Sequence, residues 1–196
     1  MGCEPKPQRR IRKNQKCKPI EKKNCILRRF AMLSDKMLNS LNEQITLEHY
    51  SANLYLAMSS WCSYKGYDAS ASFLFKHSEE EMEHMKKLFR YVCETGGAAT
   101  ISEIKKPTAT FESLADLFQQ TLAHEKMVTR AINNLAHVAI TEQDYSTFNF
   151  LQWYVAEQHE EERLFQTVLN KIEIIGVTGK GIFLIDQEIG KLEEKG

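Results

Sequence analysis

The sequence predicts an all-α fold: a four-helix bundle with one long crossover between its second and third helices and a short fifth helix at the C-terminal end. Three observations carry this. Glycine (9) and proline (4) are scarce in a 196-residue chain that is 42% apolar, which favours long helices over an all-β fold. Four segments beyond residue 34 place apolar residues at alternating steps of three and four, the spacing of one helical face. The connection between the second and third segments is far longer than the others.

The first helix is expected over about 35–64, with the seam Leu38, Leu41, Ile45, Glu48, Ala52, Tyr55, Ser59 and Cys62. Lys65-Gly66-Tyr67 breaks it from the second helix, 69–95, whose seam is Leu74, His77, Glu81, His84, Leu88 and Tyr91. Gly96-Gly97 ends that helix as a glycine C-cap would. The third helix, 112–140, aligns Leu114, Phe118, Thr121, Glu125, Val128, Ile132 and Leu135. The fourth, 144–173, aligns Leu151, Tyr154, Gln158, Glu161, Phe165, Val168 and Ile172. Gly176, Gly179 and Gly181 separate it from the short fifth helix, about 180–193. Four apolar seams are what a four-helix bundle requires.

The connection 96–111 has little periodicity and holds Gly96, Gly97 and Pro107. Fully extended it reaches roughly 50 Å, against ~42 Å for a helix of about 28 residues. A loop of that length is unusual in a compact domain unless it has a purpose. Crossing the whole bundle is such a purpose, and it makes the second and third helices parallel.

Every seam is apolar toward its ends and polar at its centre: Glu48; Glu81 and His84; Glu125; Gln158 and Glu161. One buried, unpaired carboxylate costs several kcal/mol, and a domain is stable by only ~5–15 kcal/mol. Few Lys or Arg fall on the seams, so bound metal is the better compensation. At about 1.5 Å per residue the polar positions all lie near mid-height and form one layer. Carboxylate oxygen with some imidazole suits hard iron or manganese. One Glu from each of two helices with a Glu-x-x-His from the others is the pattern of a di-iron bundle. Glu81-Met82-Glu83-His84 supplies the first such motif; Gln158-His159-Glu160-Glu161 stands where the second would be.

The net charge of zero conceals a division. Residues 1–31 carry 11 Lys/Arg and 2 Asp/Glu, whereas residues 32–196 carry 15 and 24. An acidic body favours cations and disfavours nucleic acid as the partner of the folded domain. The basic extension lacks the apolar stretch of a signal peptide, and Lys6 stands where a myristoylation signal has Ser or Thr. Its composition predicts disorder; it is either an interaction arm or an extension ahead of a true start at Met32. No apolar run reaches the ~20 residues of a membrane span. The five cysteines, Cys3, Cys17, Cys25, Cys62 and Cys93, form no Cys-x-x-Cys and no evident disulfide framework, which fits a reducing cytoplasm.

Leu41-Asn42-Glu43-Gln44, Glu79-Glu80-Glu81-Met82-Glu83-His84-Met85, Asn149-Phe150-Leu151-Gln152-Trp153-Tyr154 and Glu157-Gln158-His159-Glu160-Glu161-Glu162 together resemble the bacterial non-haem ferritins, over about 32–196. The resemblance implies a ferritin-like bundle that binds Fe(II) at an intra-subunit di-iron centre. It implies oxidation with O₂ or H₂O₂ and storage of ferric mineral in a hollow shell of 24 identical subunits. By position, one iron falls to Glu48, Glu81 and His84. The other falls to Glu81, Glu125 and Glu161, with Gln158 close by and Glu81 bridging. Glu80, Glu157, Glu160 and Glu161 resemble a third iron site, and Tyr55 resembles a tyrosine beside the iron pair. Met82 matches the position of the haem ligand in bacterioferritin, but non-haem ferritins carry Met there too, and no haem is assigned. The alternatives are another di-iron oxidase or peroxidase of the same fold, or a DNA-protecting relative. The first is disfavoured by the missing Cys-x-x-Cys module, the second by the fifth helix. His49, His77, His124, His137 and His159 read as ordinary surface or core histidines, and Trp61 and Trp153 as core.

Overall fold

The computed structural model describes residues 32–193, so the extension expected for residues 1–31 lies outside the described residues. Five helices follow: α1 (Asp35–Lys65), α2 (Asp68–Glu94), α3 (Leu114–Thr141), α4 (Tyr145–Ile175) and α5 (Lys180–Glu193). Each end lies within two residues of its sequence-based position. Three helices begin on a local cap. Ser34 Oγ accepts from the Met37 amide, Ser113 Oγ from the Asp116 amide and Asp144 Oδ1 from the Thr147 amide, each at 3.0 Å, satisfying N–H groups that have no partner inside the helix. α1 stops at Gly66, whose φ of 80° lies in the left-handed region that glycine enters without strain.

α2 differs from these three, because its N-cap residue Tyr67 offers no side-chain hydrogen bond. The cap comes from α5. Buried Asp186 accepts from the Ala69 amide at 3.2 Å, the Ser70 amide at 2.8 Å and the Ser70 hydroxyl at 2.7 Å. A carboxylate also suits the positive end of the helix dipole. Ile185 and Ile189, wholly buried, seat the same face of α5 in the core, and Lys171 Nζ pairs with Glu188 at 2.7 Å. Asp186→Ala is therefore expected to lower thermal stability by about 2 kcal/mol or more. Asp186→Asn, which keeps one acceptor, should recover part of the loss. An unchanged melting curve for the alanine variant would show that this latch contributes nothing.

Cross-helix contacts fix the directions. Along α2 and α4, Tyr91 meets Thr147, His84 meets Tyr154, and His77 meets Glu161. Each step back on α2 matches an equal step forward on α4, so the two run antiparallel. On α1 and α3, Ser51 meets His124, Tyr55 meets Glu125 and Met58 meets Thr121, again antiparallel. With α1 antiparallel to α2 across their short turn, α2 and α3 are parallel, as the long crossover predicts. Asn42 holds that crossover against α1, donating to the Ala98 carbonyl at 3.1 Å and accepting from the Thr100 amide at 2.9 Å.

Every seam residue except the half-buried Leu38 is buried. The apolar interior divides into two masses. One gathers Tyr55, Met58, Phe73, Leu74, Phe118, Phe165 and the apolar face of α5. The other gathers Leu41, Ile45, Leu88, Tyr91, Ile132, Leu135, Leu151 and Tyr154. Between them lies the polar layer. Glu48 and Glu125, Glu81 and Gln158, and His84 and Glu161 are each separated by the same number of residues. The hairpin α1–α2 thus presents its central seam residues as the hairpin α3–α4 does.

Candidate metal centre

The layer is built by one or two residues from each bundle helix. Glu48 and Glu125 are wholly buried, and Glu81, His84, Gln158 and Glu161 are nearly so. One ligand atom from each of Glu48, Glu81 and His84 lies within 4.8 Å of the others, the set expected for the first iron. Glu48 Oε2, Glu81 Oε2, Glu161 Oε2 and His84 Nδ1 have no hydrogen-bond partner although they are shut off from solvent. Unsatisfied buried polar atoms are costly, and three carboxylate oxygens with one imidazole nitrogen in one layer are a donor set suited to a cation. Glu125 differs: one oxygen accepts from the Tyr55 hydroxyl and the other from Gln158 Nε2 at 2.9 Å. Glu48 Oε1 accepts from the Gln44 amide.

Burial pushes Glu48, Glu81, Glu125 and Glu161 up, because charge is disfavoured away from water. Mutual repulsion adds to this: Glu81 acts on Glu48, Glu161 acts on Glu81, and Glu161 and Glu48 act on Glu125. Glu81 reaches about 8. A bound cation reverses the balance and draws the carboxylates into their ionised form.

Glu161 turns one oxygen toward a second group. His77 Nδ1 lies 3.1 Å from Glu80 Oε2 and 3.7 Å from Glu161 Oε1, and these three residues form a further metal-sized cluster. The hydrogen bond to His77 holds Glu80 below its ordinary range. The cluster borders a cleft of about 480 Å³ that Glu157 and Glu160 also line, together with Lys76 and Arg163. The four carboxylates named for a third site are therefore brought to one cleft. His77, read from the sequence as an ordinary histidine, joins them, and only its seam position beside Glu80 hinted at it. The seam pattern gives no comparable sign of a site role for Gln44 or Tyr154. Gln44 sits one turn before Glu48, and Tyr154 is an aromatic residue at the height of the polar layer. Among the other histidines, His124 is buried and bonded to Ser51 at 2.7 Å, His49 is half-buried, and His137 and His159 are exposed. No helix among the described residues is long and apolar enough to cross a membrane.

Fold and site together define a metal-binding four-helix bundle protein. A family model described as "Ferritin-like domain" matches residues 38–175. A bacterial non-haem ferritin of Escherichia coli O157:H7 is 49% identical over 162 residues, 83% of this chain and 98% of the relative. A bacterial non-haem ferritin of Campylobacter jejuni is 51% identical over 158 residues, 81% and 95% of the two chains. Among solved structures, an open-pore ferritin of Archaeoglobus fulgidus superposes with a TM-score of 0.79 at 36% identity, covering 81% of this chain and 98% of that one. A Chlorobium tepidum ferritin gives 0.73 at 47%, covering 81% and 97%. The chain belongs to the ferritin family and is an iron-storage ferritin.

Proposed function

We propose that this ferritin is a ferroxidase: it binds two Fe(II) per subunit in the polar layer, oxidises them with O₂, and passes the ferric product to a mineral core inside a shell of 24 subunits. The observation that carries the proposal is the layer of unpartnered, buried carboxylate oxygens dividing an otherwise apolar interior. Two Fe(II) held side by side supply the two electrons that convert one O₂ and two protons into hydrogen peroxide.

Glu48, Glu81 and His84 are placed to take one ion, and Glu81, Glu125 and Glu161 the other. Gln158 orients Glu125 through its 2.9 Å hydrogen bond. Glu81 bridges: it is the member of the Glu48–Glu81–His84 group that also feels Glu161. The Tyr55 hydroxyl, donating to Glu125, stands ready to give a proton or an electron beside the second ion. Glu80, Glu157, Glu160 and Glu161, with His77, form a third Fe(II) site on the cleft. The cytoplasm is the proposed compartment, with residues 1–31 an appendage outside the iron-handling domain.

Anaerobic Fe(II) titration, oxygen uptake after admission of air, and the mass of the loaded assembly test the proposal together. Saturable binding, rapid uptake and a heavy mineral-filled shell are expected. The same results are expected for a chain that begins at Met32. Rapid oxidation without retained mineral would favour another di-iron oxidase of this fold.

A further inference from the structure

Glu48 and Glu125 hold corresponding places in the two hairpins, and each carboxylate is gripped by one carboxamide and one phenol. Glu125 accepts from the Tyr55 hydroxyl and, at 2.9 Å, from Gln158 Nε2. Glu48 accepts at Oε1 from Gln44 Nε2, and the Tyr154 hydroxyl hydrogen-bonds the same carboxylate from α4. Burial and Glu81 oppose the charge on Glu48, and these two donors favour it.

The two amides differ in where they stand. Gln158 belongs to the polar layer itself, on the helix next to that of Glu125. Gln44 stands outside the layer, one turn before Glu48 on the same helix, and is buried like its neighbours Leu41 and Ile45. Residues four apart on a helix meet on its surface, so the reach is available. A carboxamide costs free energy when it is buried without a bond, and the Gln44 amide spends its donor on Glu48. The residue that stands four before Glu125 is Thr121, whose hydroxyl goes instead to the Leu117 carbonyl at 3.0 Å and the Met58 sulfur at 3.4 Å. The first hairpin therefore carries a fixed donor behind its terminal carboxylate that the second hairpin lacks.

The structure assigns Gln44 the role of positioning residue for the first metal position. It holds Glu48 turned toward Glu81 and His84 and keeps Oε1 occupied, so that an ion takes Glu48 through Oε2 alone. The inference rests on the proposal that this layer takes iron. Ligand atoms of Glu48, Glu81 and His84 already lie within 4.8 Å of one another, and a carboxylate fixed there beforehand loses little freedom when the ion arrives. Glu48 keeps its amide bond as the ion enters. Glu125, with both oxygens bonded, shares or yields a donor. Without Gln44, Glu48 turns freely and offers both oxygens. The four-membered chelate ring it then forms is strained and does not offset the lost orientation.

The test titrates the full-length protein with Co(II), read by visible absorption and by calorimetry. Gln44→Met keeps the length of the side chain and removes the donor. It should weaken one binding step about 10-fold or more, the step that His84→Ala also loses, and leave the others in place. Gln44→Asn, one methylene too short to reach Oε1, should weaken the same step. In the infrared difference between Co(II)-loaded and metal-free protein, the antisymmetric and symmetric carboxylate stretches should draw closer in Gln44→Met, as they do when a carboxylate binds with both oxygens. Placed on a Glu48→Ala background, Gln44→Met should change no remaining binding step, because Gln44 acts through Glu48. Wild-type Co(II) affinity or an unchanged band separation in Gln44→Met would overturn the assignment. So would a loss that persists in the remaining steps of the Glu48→Ala background, which marks a general packing defect. Oxygen uptake after Fe(II) addition is measured separately. Weakened Co(II) binding in Gln44→Met with slow uptake by the wild type keeps the positioning role and removes the ferroxidase; rapid uptake with unchanged Co(II) binding does the reverse.

Discussion

Glu81→Ala is expected to abolish rapid Fe(II) oxidation and to leave a folded protein. Glu81 is the carboxylate shared between the Glu48–His84 group and the influence of Glu161. Removing it takes a ligand from both proposed iron positions, and a rate loss on the order of 100-fold or more is expected in stopped flow. Stability should move the other way. In the metal-free protein, burial and neighbouring carboxylates raise Glu81 to about 8 from an ordinary value of 4.5. A group raised on folding supports the folded state fully below its unfolded pKa, and that support is lost as pH rises through the folded value. The metal-free wild type should therefore lose stability between about pH 4.5 and pH 8. Glu81→Gln, which keeps the volume, should show a shallower slope and a higher melting temperature at pH 8. Oxidation at the wild-type rate in the alanine variant would remove Glu81 from the bridge. A wild-type pH slope in the glutamine variant would show that its charge is not disfavoured by folding.

The second large effect is on stoichiometry. Glu80→Ala combined with Glu160→Ala takes two carboxylates from the cleft that holds Glu157, Glu161 and His77. Neither substitution touches Glu48, Glu125 or His84. Anaerobic titration should find one fewer Fe(II) per subunit, and the O₂ consumed per iron should change more than the initial rate. Glu80 and Glu160 are partly open to solvent, so their loss should leave the melting temperature almost unmoved. An unchanged iron count in the double variant would rule out the third site.

The bundle and most of its centre are legible in the sequence because a buried charge violates a rule strong enough to be seen. Glu48, Glu81, His84, Glu125, Gln158 and Glu161 stand on faces otherwise given to Leu, Ile, Val and Phe, and all are buried where that pattern puts them. The parallel course of α2 and α3 is legible from chain length alone, because sixteen residues of poor periodicity suffice to cross the bundle. What escapes is what breaks no rule. Tyr154 on an apolar seam satisfies every expectation of core, and only its place against His84 and beside Glu48 sets it apart. Gln44 lies one turn below Glu48 but off the seam. The Asp186 latch joins residues more than a hundred positions apart in sequence, and local pattern cannot report such a contact. Tyr67, a poor cap for α2, is the faint local trace of it.

The equal spacing of Glu48 from Glu125, Glu81 from Gln158 and His84 from Glu161 gives this subunit the layout of a dimer written into one chain. Two identical hairpins facing each other across a two-fold axis would be obliged to offer the same groups to both ions. Continuous covalent connection lifts that obligation. Here one hairpin contributes imidazole and carboxylate where the other contributes carboxylate and amide, so under the proposed assignment the two ions would meet different hosts. The difference in ligand charge would give those ions distinct affinities, and with them an order of arrival that a symmetric pair could not encode.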